Sequence, residues 1–126
     1  MKTIIVLDEN ESLRELLDDV LADVDGWTVK PVANGSDLLT IIETVTPDLI
    51  ILDTGVPGLN GMEVYGLLRG HAGCAEIPVL FISTGDEQDT KGVHGPSSWL
   101  TKPFEVDDLL TVAAEMLGEN TPENVG

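Results

Sequence analysis

The chain has 126 residues, of which 42% are hydrophobic, and carries 23 acidic side chains against six Lys and Arg, a formal net charge of −17. Its length and apolar content specify one domain with a full core and argue against disorder. The charge argues against direct binding to nucleic acid or an anionic membrane, both of which it would repel. No apolar stretch reaches membrane-spanning length, and the amino terminus lacks a signal-peptide pattern. The single Cys74 cannot form an internal disulfide, so a cytoplasmic location is the expectation. The acid excess suggests either an acidic surface that keeps the chain soluble or a halophilic protein that needs salt to screen its self-repulsion.

In chain order, Ile4-Ile5-Val6-Leu7 predicts a buried strand that runs into Asp8-Glu9. Ser12, with Glu15 three residues on, predicts a capping box. The helix it opens carries Leu13, Leu16, Leu17, Val20 and Leu21 at helical spacing. Trp27 to Val32 predicts a second strand, with Pro31 pointing to a sheet edge. Ser36 is the expected cap of a second helix bearing Leu38, Leu39, Ile41, Ile42 and Val45, broken at Thr46-Pro47. Leu49-Ile50-Ile51-Leu52 then delivers Asp53. A third helix with Met62, Val64, Leu67 and Leu68 ends near Gly70. Val79-Leu80-Phe81-Ile82 delivers Ser83, and a short fifth strand with Trp99 and Leu100 delivers Lys102-Pro103. The stretch from Gly85 to Ser98 is polar and has almost no apolar periodicity. A last helix spans about Val106 to Leu117, with Leu109, Leu110, Val112, Ala113 and Met116 inward, and stops at Gly118. Alternating strands and helices predict an α/β fold, doubly wound about a five-stranded parallel sheet.

In such a sheet, ligands bind beyond the carboxyl ends of the strands. Asp8, Glu9, Asp53, Ser83 and Lys102 are all expected at that one edge. Three carboxylates, a hydroxyl and an ammonium there can bind a divalent cation and a phosphoryl group. Mg²⁺ suits Asp8, Glu9 and Asp53, and Asp53 is the candidate nucleophile because a carboxylate can accept a phosphoryl group as an acyl phosphate. Each residue alone has a plainer reading: Asp8 and Glu9 as helix caps, Ser83 as a strand-end serine, Lys102 as a solvated lysine. A cis Lys102–Pro103 peptide would aim Lys102 inward, and the sequence leaves cis or trans open.

At these residues the chain resembles the receiver domain of two-component response regulators, of the chemotaxis single-domain type. The resemblance runs from about Lys2 to Leu117. It rests on Ile4-Ile5-Val6-Leu7-Asp8-Glu9, on Pro47-Asp48-Leu49-Ile50-Ile51-Leu52-Asp53, on Val56-Pro57-Gly58-Leu59-Asn60-Gly61, on Ile77-Pro78-Val79-Leu80-Phe81-Ile82-Ser83 and on Leu100-Thr101-Lys102-Pro103-Phe104. It implies a flavodoxin-like (βα)5 domain over residues 1–118, with 119–126 a frayed tail or linker. It implies that Asp53 accepts a phosphoryl group from a sensor histidine kinase, with Mg²⁺ held by Asp8, Glu9, Asp53 and the Gly55 carbonyl. Ser83 would be the switch hydroxyl, Lys102 the counter-ion and Trp99 the switch aromatic. Such a domain is a phospho-acceptor rather than an enzyme, and is a monomer or a phosphorylation-linked dimer.

Three features depart from the family pattern. Glu9 stands where a second Asp is usual. The segment between Ser83 and Trp99 is shorter than usual, so the fourth helix is expected to be short or irregular. Trp99 stands where a Tyr or Phe is usual, and reads equally as a switch or as a packing aromatic. These departures favour an alternative, a pseudo-receiver that binds a partner without using phosphate; the intact Asp53, Ser83 and Lys102 oppose it.

Overall fold

A computed structural model describes residues 2–53, 61–71, 73, 76–83 and 97–119. Five strands, β1 (Lys2–Leu7), β2 (Trp27–Val32), β3 (Leu49–Asp53), β4 (Val79–Ser83) and β5 (Ser97–Thr101), form one sheet in the order β2-β1-β3-β4-β5. Every pairing is parallel. The described helices are α1 (Glu11–Ala22), α2 (Gly35–Ile41), α3 (Gly61–Gly70) and α4 (Val106–Met116). The helix expected between β4 and β5 falls in residues 84–96, outside the described residues. Gly55, Cys74 and residues 120–126 lie outside them too.

The central strands are apolar over Ile4–Leu7, Leu49–Leu52 and Val79–Ile82 because both faces are covered there. One layer sets Ile4, Val6, Ile51, Leu80 and Ile82 against Leu17 and Leu21 of α1 and Leu109, Leu110, Ala113 and Ala114 of α4. The other sets Ile5, Leu7, Ile50, Leu52, Val79 and Phe81 against Leu38 of α2 and Tyr65 and Leu68 of α3. Alternate residues of one strand thus feed opposite layers, as the period of two requires. Pro31 sits in edge strand β2, where its missing N–H breaks no ladder bond.

Both expected helix caps are shifted. Asn10, not Ser12, caps α1: its side chain accepts the Leu13 N–H at 3.0 Å. Asn34, not Ser36, caps α2, accepting the Asp37 N–H at 2.9 Å. In each case an asparagine two residues earlier reaches the orphan amide first, and the serine is left inside the helix. α2 ends at Ile41, short of Val45, whose N–H closes a turn on the Ile41 carbonyl at 2.9 Å.

Two leucines expected on inward faces are exposed, Leu16 at 47% and Leu67 at 50%. Among the described side chains of α3 the buried apolar positions are Tyr65 and Leu68, three apart, and Leu67 falls off that stripe; the side chains of Met62 and Val64 lie outside the described ones. The Asn10 cap gives a direct test. Asn10→Ala should lower unfolding stability by about 1 kcal/mol, read from urea titration, whereas Ser12→Ala should leave the midpoint nearly unchanged.

Candidate functional site

The register of the sheet builds the site. Leu7 pairs with Leu52, so the next residues, Asp8 and Asp53, emerge side by side at the carboxyl ends of β1 and β3. Asp53 pairs with Ile82, and Ser83 pairs with Thr101, so Ser83 and Lys102 lie along the same edge. The Lys102 N–H donates to the Ser83 carbonyl at 2.7 Å, and the Lys102–Pro103 peptide is cis. Lys102 Nζ lies 3.2 Å from Asp53 Oδ2. Asp53 and Ser83 are buried, while Lys102 keeps partial contact with solvent.

Asp8 is wholly buried. Its Oδ1 accepts the Asn10 N–H at 2.9 Å, which sets the α1 cap. Its Oδ2 is buried with no hydrogen-bond partner. Burial pushes the Asp8 carboxyl up from 3.8 to about 6; the Asn10 amide pulls it down, the neighbouring Asp53 carboxylate pushes it up and Lys102 pulls it down. A buried carboxylate oxygen without a hydrogen-bond partner, next to a second carboxylate, makes a hard-ligand pair whose two charges are met by the single ammonium of Lys102. That donor set fits Mg²⁺, which takes one or two carboxylates and fills its remaining positions with water and phosphate.

Glu9 does not join this pair. It is exposed, and among the described residues no three His, Cys, Asp or Glu side chains form a group able to hold a metal. Two carboxylates converge here, not three. Gly55 lies outside the described residues. Trp99, half-buried, lies opposite Phe81 in the sheet register and stacks on it, with ring centroids 4.5 Å apart and planes at 22°.

Sequence reasoning missed what Arg14 and Arg69 hold, and a groove beside Lys102. Arg14 Nη1 donates to the Asp8 carbonyl at 2.8 Å and to that of Glu9 at 3.5 Å, holding the turn after β1. Arg69 is buried, donates to the Ile77 carbonyl at 2.6 Å, and lies 4.7 Å from the Tyr65 ring centroid. Their spacing of four residues on one helix was the available signal. Leu13, Leu16, Pro103, Phe104 and Val106 line a groove of about 420 Å³ beside Lys102.

The fold and this pocket define a receiver. The family description "Response regulator receiver domain" matches residues 4–114, and the chain belongs to that family. It is the receiver domain of a two-component signalling system. The chain is 31% identical to the DNA-binding response regulator MtrA of Mycolicibacterium smegmatis, over 95% of this chain and 52% of that protein. It is also 31% identical to the response regulator MprA of Mycobacterium tuberculosis, over 96% and 53% respectively. The chain thus spans about half the length of the curated relatives it matches. Among solved structures, the Vibrio cholerae chemotaxis protein CheY4 superposes with a TM-score of 0.83 at 28% identity, covering 92% of this chain and 98% of that one. The receiver domain of the Pseudomonas aeruginosa sensor histidine kinase PA1611, described with a magnesium ion coordinated in its active-site cleft, shares the fold (TM-score 0.82, 21% identity, 94% and 98% coverage).

The raised Asp8 carboxyl makes stability depend on pH. Between 3.8 and about 6 the folded metal-free protein holds a proton that the unfolded chain has lost. Stability therefore falls as pH rises through that window, and the loss levels off above it at about 3 kcal/mol. Asp8→Asn, which keeps the Asn10 contact without the charge, should raise the melting temperature in EDTA near neutral pH. The gain should vanish below the window, and Mg²⁺ should stabilise the parent protein but not the variant. An equal gain at both pH extremes would exclude this origin.

Proposed function

We propose that Asp53 accepts a phosphoryl group from a phosphohistidine of a sensor histidine kinase. The observation that carries this reading is the Lys102–Asp53 pair at 3.2 Å, set beside the unpartnered Asp8 oxygen. An Asp53 carboxylate oxygen attacks phosphorus, the phosphorus–nitrogen bond breaks, and the imidazole leaves with the electron pair. Lys102 holds Asp53 in place and offsets charge on the transferred group. Ser83, one residue beyond the partner of Asp53 on β4, supplies a hydroxyl toward it. Trp99, stacked on Phe81 two residues before Ser83, is the aromatic whose surroundings respond.

Mg²⁺, when bound, supplies positive charge to the phosphoryl oxygens. Asp8 and Asp53 would hold it directly, with Glu9 contributing through water and Gly55 through its carbonyl. The magnesium described in the Pseudomonas receiver supports this assignment. The domain acts as a phospho-acceptor, not as a turnover enzyme, and occupies residues 1–118. The groove beside Lys102 gives the kinase an apolar contact at the flank of Asp53. A cytoplasmic setting suits such a partner. Among the described residues no helix is long and apolar enough to cross a membrane.

The decisive test is intact-mass spectrometry after incubation with acetyl phosphate, with and without Mg²⁺. One phosphoryl group should be gained with Mg²⁺ and none by Asp53→Asn, which should keep its folded circular-dichroism signal. Lys102→Ala should be phosphorylated more slowly while still binding Mg²⁺. No gain by a folded protein would favour the pseudo-receiver, the reading to which the exposed Glu9 lends weight.

The charge of −17 supports a halophilic protein. Salt shortens the reach of surface repulsion from about 10 Å at 0.1 M to about 3 Å at 1 M. The melting temperature should therefore rise steadily from low to molar KCl; a flat profile would leave the acid excess as a solubility feature.

A further inference from the structure

The two ends of α4 are secured unequally. At its amino end the N-cap, Glu105, makes no side-chain cap hydrogen bond, and Val106 is 39% exposed. At its carboxyl end the chain turns through Gly118, whose φ of +73° suits glycine. The Gly118 N–H bonds the Glu115 carbonyl at 3.1 Å and the Glu119 N–H bonds the Ala114 carbonyl at 2.8 Å. These are the two bonds of a Schellman motif. They place Glu119 over the start of β2, where the Trp27 indole N–H donates to Glu119 Oε1 at 2.6 Å.

Trp27 is itself fixed. It is 6% exposed and packs in the layer shared by Leu21, Ala113 and Leu117. Its N–H bonds the Val24 carbonyl at 3.2 Å, and its neighbour Gly26 accepts the Lys2 N–H at 2.8 Å. A hydrogen bond from a buried indole to a carboxylate is charge-assisted and stronger than a neutral one. It joins residues 92 apart in sequence. It also lies at the amino end of the sheet, opposite the edge that carries Asp8 and Asp53.

We propose that Trp27 and Glu119 form a clasp that fixes the carboxyl end of α4 to the edge strand, and with it the point from which the chain continues. α4 starts four residues after Lys102 and ends three residues before Glu119. It therefore runs about 16 Å from the phospho-acceptor edge toward the opposite pole. With one end clasped and the other uncapped, a shift at Lys102 tilts α4 about the clasp and leaves the chain exit in place.

The test is hydrogen exchange by mass spectrometry on the full chain, with Trp27 emission read in a Trp99→Phe background. Glu119→Ala should speed exchange of amides 114–119 by about tenfold and shift Trp27 emission. Glu119→Gln, which retains an acceptor, should do less of both. Trp27→Phe should reproduce the exchange change, and the double variant should add little to either single one. Glu119 is exposed, so its variants fold even if Trp27→Phe does not. Unchanged exchange and emission in Glu119→Ala would overturn the clasp, and this outcome does not depend on phosphorylation of Asp53.

Discussion

The alignment of four parallel strands at their carboxyl ends is the constraint on which the rest of the structure depends. Because Leu7 lies opposite Leu52, the chain has no choice but to bring Asp8 and Asp53 together. Two carboxylates at a buried edge repel each other and lose hydration. The neighbouring groups are arranged around that cost. Lys102 pairs with Asp53, the Asn10 amide satisfies one Asp8 oxygen, and Arg14 grips the carbonyl behind it. One Asp8 oxygen is left over, buried and without a hydrogen-bond partner.

The floor under this edge is rigid because both faces of the sheet are filled. On the α3 side the packing is directional. Arg69 lies against Tyr65, Tyr65 against Phe81 at 5.1 Å, and Phe81 under Trp99 at 4.5 Å. This column crosses from α3 to β5 and passes through Phe81, two residues before Ser83. On the other face, α4 leads from Lys102 to the far pole. The edge thus rests on a sheet packed on both faces, between two distinct sets of side chains.

Much of the fold was legible in the sequence, for a physical reason. Strands buried on both faces must be continuously apolar, so Ile4–Leu7, Leu49–Leu52 and Val79–Ile82 announced themselves, and Pro31 marked an edge. Polar residues at the ends of such runs had one place to go, which is why Asp8, Asp53, Ser83 and Lys102 could be grouped before any coordinates. Local competition was harder to read. Asn10 and Ser12 are both good caps, and only backbone geometry after β1 chose the earlier one. Glu9 was grouped with the acids by adjacency, yet it faces solvent beside the buried Asp8. Leu16 and Leu67 fit a helical period but not the narrow stripes that meet the sheet. Glu119, expected to begin a frayed tail, is held by an indole 92 residues away.

By itself, then, the sequence determined the elements, their parallel arrangement and the residues at the ligand edge. These follow from hydrophobic period, turn chemistry and the handedness of crossovers, all of which act over short stretches of chain. The tertiary structure alone decided which carboxylates converge, which oxygen is left without a partner, and how Arg69, Tyr65, Phe81 and Trp99 line up. It also decided that Trp27 meets Glu119. These outcomes depend on how distant segments are positioned to within an ångström or two, and no local pattern encodes a separation that is set by the packing of the whole sheet.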